Sequence, residues 1–85
     1  MTDSTLETIY EDVKYYLNQP QKLIERNAEK EVVERVKYEI SFCASMCENR
    51  YAEYDEAIYS LFAKDLRKAD IKCQDYIEAL DGDSK

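Results

Sequence analysis

From Val32 to Leu80 this chain contains neither glycine nor proline, and its apolar positions 32, 36, 40, 43, 47, 51, 54, 58, 62, 66, 69, 73, 76 and 80 recur in steps of four or three. That spacing lays an apolar stripe along an α-helix and does not fit the two-residue alternation of a half-buried strand. Glycine and proline occur once each in the whole sequence, too few to make the turns of a multi-stranded sandwich or barrel. The fold class is therefore all-α. With 85 residues there is material for one small core, and a second module is not expected. An apolar content of 45%, including eight tyrosines, leaves too much to bury for a disordered chain.

Two architectures satisfy the stripe. Steps of 4-4-3 repeat every eleven residues and follow a nearly straight helix. One uninterrupted helix of about 50 residues would run roughly 75 Å, too long to be covered by the residues before it. Alternatively the chain turns near Glu48-Asn49-Arg50, where asparagine tolerates a left-handed cap, and a long helical hairpin packs with a short N-terminal helix as a three-helix bundle. The short mean length of globular helices favours the bundle. A single domain over residues 1–85 is expected, with helices near 4–18, 28–48 and 50–80, a short helical turn near 20–26 and a tail at 81–85. Ser4 and Glu7 form a capping box ahead of Leu6, Ile9, Tyr10, Val13, Tyr16 and Leu17. Asn18-Gln19-Pro20 is the expected end of that helix, Asn27 breaks or caps the short turn after it, and Leu80-Asp81-Gly82 closes the last helix.

The start of the sequence lacks the basic and apolar stretches of a targeting segment, and no uncharged run approaches the roughly 20 residues that cross a bilayer. Three cysteines, an odd number, include Cys43 and Cys47 one helical turn apart, where they are neighbours on a face rather than bridgeheads of a loop. These features predict a cytoplasmic protein with reduced cysteines and no membrane contact. The formal charge of -7 argues against direct nucleic-acid binding, which needs a basic surface.

Signals for catalysis are weak. Histidine is absent and the single glycine is Gly82, so neither a phosphate-cradling loop nor a nucleophile elbow can be drawn. Three cysteines fall short of the four ligands of a structural zinc site, and they lie on the apolar stripe, where small buried side chains are the simpler reading. No enzyme activity, metal or cofactor is expected.

What the stripe does not absorb is more informative. Val32, Val33, Val36, Ile40, Cys43 and Cys47 share one arc of the second helix, while Tyr38, Phe42 and Met46 project at four-residue steps towards another side. Tyr15 likewise projects from the far side of the first helix. Aromatic residues and methionine are enriched in interface cores, so these four are the candidate partner-binding residues. A second candidate is the basic stripe Lys64, Lys68 and Lys72 with Arg67 alongside, a possible site for an anion or acidic surface, although Asp65, Asp70 and Asp75 interleave with it. Asp65 falls inside the expected apolar arc, where a charge needs a partner and can set helix register.

The function these features predict is a small, acidic, helical protein-interaction module, a stoichiometric regulator or inhibitor of a protein partner that also self-associates. One alternative is an acidic mimic of nucleic acid that blocks a DNA- or RNA-binding enzyme. Its weakness is dilution, since residues 1–28 carry 5 acids against 3 bases and only residues 48–85, with 10 against 6, offer density. A third reading is a nucleotide-binding oligomer that combines tyrosine stacking with the lysine stripe.

Overall fold

Two residues with left-handed backbone geometry, Asn27 (φ 53°) and Asp55 (φ 55°), divide the chain into three helices. In the computed structural model, which describes residues 2–83 and the side chains of 6–82, α1 is Thr2–Glu25, α2 is Lys30–Tyr54 and α3 is Ala57–Asp83. They pack as an all-α three-helix bundle about 50 × 20 × 15 Å across, and no strand occurs among the described residues. No helix of the described residues is long and apolar enough to cross a membrane.

The first turn is a Schellman closure centred on the expected breaker. The Ala28 amide donates to the Leu23 carbonyl at 2.9 Å and the Asn27 amide to the Ile24 carbonyl at 3.2 Å, while Leu23 and Ala28, the apolar pair that accompanies this motif, are both buried. Asparagine can hold the left-handed position because its short side chain bonds locally. The second turn is at Asp55-Glu56, not at Glu48-Asn49-Arg50. Asp55 adopts the left-handed conformation and its amide donates to the Tyr51 carbonyl at 2.7 Å. Helix α2 therefore runs past Asn49, which lies inside it.

Three further expectations are corrected. Pro20 does not end the first helix, which continues to Glu25. Proline in a helix forfeits a hydrogen bond to the carbonyl four residues back, at a cost of about 3 kcal/mol, but Pro20 is buried in line with Ile9, Val13 and Leu23. Burial of the ring and of Leu23 beyond it offsets the lost bond, so residues 20–26 are the end of α1 and not a separate turn. Helix α1 also begins at Thr2, ahead of Ser4. The Ser4 side chain lies outside the described residues, as do Ser84 and Lys85 of the expected tail. Finally, α3 runs through Gly82 to Asp83, so Gly82 is not the residue that closes it.

The core follows the stripe in its centre and leaves it at the hairpin. Val33, Ile40, Cys43, Ala44 and Cys47 from α2 meet Phe62, Leu66, Ala69 and Cys73 from α3, all buried. Beyond Cys47 the expected seam residues Tyr51, Tyr54 and Ile58 are exposed, because the turn at Asp55 splays them round the end of the hairpin. Helix α1 contributes Ile9, Val13 and Leu23 and lies mainly against α3, touching α2 least. Tyr10 reaches Phe62 with ring centroids 6.0 Å apart.

Ion pairs cross the α2/α3 seam. Lys30 Nζ meets Asp81 Oδ1 at 2.8 Å and Lys37 Nζ meets Asp70 Oδ1 at 3.1 Å. Arg67 forks onto Glu48, with Nη2 to Oε1 at 2.9 Å and Nε to Oε2 at 3.3 Å, and also donates to the Ser41 and Ser45 hydroxyls. Asp65, expected inside the apolar arc, is exposed. Asp70 is the half-buried acid of α3, set between Lys37 and Arg67, because the core arc runs through positions 66, 69 and 73 and places residue 70 at its edge.

Candidate functional site

Because α1 leans on α3, a groove of about 320 Å³ opens between α1 and α2, lined by Asp12 and Tyr16 from α1 and by Tyr38, Glu39, Phe42, Cys43 and Met46 from α2. Residues four apart on a helix stand one above another, so Tyr38, Phe42 and Met46 form a ridge along the α2 lip. Their environments differ. Met46 is half-buried against the core, whereas Tyr38 is 74% and Phe42 69% exposed. Tyr15 packs edge-on against Tyr16, with ring centroids 5.3 Å apart at 74°, and remains exposed on the α1 side. The four residues singled out in the sequence as partner-binding thus gather at one groove, three of them lining it and Tyr15 flanking it through Tyr16.

The groove is acidic above an apolar floor. Asp12 and Glu39 face it, and neither makes an ion pair among the described residues. The Tyr16 hydroxyl is held above its usual pKa, first by burial and then by the nearby Glu39 carboxylate. Beneath it the Cys43 thiol is pushed up to about 12, chiefly by burial and next by Cys47, with Asp12 adding to the effect. A thiol of that kind is protonated at neutral pH and a poor nucleophile. Cys43, Cys47 and Cys73 are all free and buried, and no group of three or more potential metal ligands forms among the described residues. What this site offers chemically is contact area, two carboxylates and the two phenols of Tyr16 and Tyr38.

The basic stripe is divided. Arg67 is turned inward and committed to Glu48, Ser41 and Ser45, whereas Lys64, Lys68 and Lys72 are exposed and make no ion pair among the described residues. Lys64 and Lys68 line a second, larger groove of about 550 Å³ with Tyr51 and Leu61, and Lys72 lies outside it. Missing from the sequence reading was Asp12, and Tyr16 was expected on the α1 core stripe, where it is half-buried; nothing in the spacing showed that α1 would pack on α3 and leave this flank open. Leu61 and Ile71, exposed at 55% and 60%, were also missed. The signal for them was available, since both fall opposite the stripe of α3. Comparison of the chain with family models, curated proteins and solved structures finds no match.

Proposed function

We propose that this chain is a protein-interaction module that acts as a stoichiometric regulator or inhibitor, holding its partner in the groove between α1 and α2. The observation that carries this reading is the exposed pair Tyr38 and Phe42 on the lip of a groove with an apolar floor. Two large aromatic side chains left in water at adjacent turns gain little for the fold and offer a binding partner apolar area to cover. The carboxylates of Asp12 and Glu39 select the chemistry of that partner. It presents apolar anchors flanked by lysine or arginine, the arrangement found on one face of a basic amphipathic helix. A ridge from residue 38 to residue 46 spans about 12 Å, roughly two turns of a docked helix.

The test is a photo-crosslinking residue placed at Tyr38, with capture from lysate in parallel on the Phe42→Ala chain. Removing an anchor aromatic should weaken the complex by about 2 kcal/mol, roughly thirtyfold in Kd, with the helical signal unchanged. A partner retained by well-folded Phe42→Ala overturns the reading. A partner that ignores Phe42 and is released steeply by salt supports the charge-mimic alternative instead.

A further inference from the structure

The apolar-and-basic surface that the groove selects is present on the chain itself, along the outer face of α3. At 3.6 residues per turn, Leu61, Lys64, Lys68, Ile71 and Lys72 fall within an arc of about 100°, on the side opposite the buried Leu66 and Cys73. Leu61 and Ile71 are more than half exposed, and the three lysines between and beside them have no ion-pair partner among the described residues. Asp65 lies at one edge of that arc, and Asp75 continues it one turn beyond Lys72. From Leu61 to Ile71 is about 15 Å along the axis, against about 12 Å for the ridge from Tyr38 to Met46. One surface is apolar with free cations, and the other is apolar with the free carboxylates of Asp12 and Glu39.

We infer that the outer face of α3 of one copy docks in the α1/α2 groove of another, so that the protein associates head to tail. This rests on the groove being a docking surface, as proposed above, and it adds a regulatory element, because a copy seated there keeps a foreign partner out until that partner displaces it. The two surfaces are different and lie on different helices, so the contact is heterologous. It does not close a two-fold dimer, and it leaves a free groove at one end and a free α3 face at the other end of an open assembly. Leu61 and Ile71 supply apolar anchors, and Lys64 and Lys68 meet the groove carboxylates.

The experiment uses the full chain and two variants, Phe42→Ala to disable the groove and the double change Lys64→Glu with Lys68→Glu to disable the α3 face. All altered side chains are exposed, and circular dichroism checks that each variant remains helical. Sedimentation equilibrium of the wild type should show an average mass rising above the 10.1 kDa of one chain between micromolar and near-millimolar concentration, while each variant alone stays near 10.1 kDa. Mixed in equal amounts, the variants should form a complex of twice the chain mass that grows no further, since one supplies the only intact groove and the other the only intact α3 face. A wild type that is monomeric throughout overturns the inference, and the groove's role towards a foreign partner is then still read by its own dependence on Phe42. Self-association that survives the lysine reversal, or variants that fail to complement one another, overturns the assignment of these surfaces.

Discussion

Replacing Phe42 by alanine and, separately, Leu66 by alanine separates a surface aromatic from a core aliphatic. Leu66 is fully buried between α2 and α3, and truncating such a leucine removes its transfer free energy and leaves a cavity, at about 2–5 kcal/mol. Phe42 is 69% exposed, so under a third of it is covered. Scaling the roughly 3–5 kcal/mol of a buried phenylalanine by that fraction gives about 1–1.5 kcal/mol as an upper figure. A domain of this size has a total stability of roughly 4–13 kcal/mol, so Leu66→Ala threatens the fold and Phe42→Ala does not. Urea unfolding followed by circular dichroism measures both, with equal slopes required for the comparison. A loss of 3 kcal/mol or more in Phe42→Ala, near what a buried phenylalanine costs, would place its ring in the core and refute the assignment of the α2 ridge to a binding surface.

Three other outcomes are expected. Arg67→Met should cost about 1 kcal/mol, the upper end for a partly exposed ion pair, and Glu48→Gln in that background should add almost nothing, which a double-mutant cycle checks. Stability should fall as pH rises from about 9 towards 12. Burial raises all three thiols, so the folded chain binds more protons than the unfolded chain across that window, and unfolding becomes progressively easier with pH; urea midpoints at several alkaline pH values measure it. Asp55→Gly should stabilise the protein by about 0.5–1 kcal/mol, because glycine adopts the φ of 55° at the hairpin turn without the penalty a Cβ carries; a higher midpoint in thermal melts is the expected reading.

The parts of this fold legible in the sequence are those governed by periodicity. Ile40, Cys43, Cys47, Phe62, Leu66, Ala69 and Cys73 were placed on the core stripe by spacing alone, and all are buried. Asn27 was recognisable as a breaker because few residues accept a left-handed backbone. The hairpin turn was not, since Asp55 competes with Asn49 for the same conformation and the apolar phase continues through both. Nor was the path of α1 through Pro20, where local backbone preference favoured a stop and burial of the ring overrode it. The ridge of Tyr38, Phe42 and Met46 was visible as a second apolar side of α2. Its meaning was not, because whether α1 covers that side depends on which neighbour α1 chooses. In the folded chain it chooses α3, and the ridge is left at the lip of an open groove.

Net charge sets how association between copies should respond to salt. Two chains of charge -7 repel one another over the whole 50 Å length of the molecule, whereas Lys64 and Lys68 attract Asp12 and Glu39 only across the contact. Screening acts over a Debye length of roughly 8 Å at physiological ionic strength, so it removes most of the distributed repulsion and less of the attraction at contact distance. The apolar part, Phe42 and Tyr38 against Leu61 and Ile71, is not weakened by screening at all. Moving from low to physiological salt should therefore hold or strengthen the self-association proposed here, which sedimentation at two ionic strengths measures. A steep loss over the same interval would mean that charge contacts carry the interface and that the aromatic ridge contributes little to it.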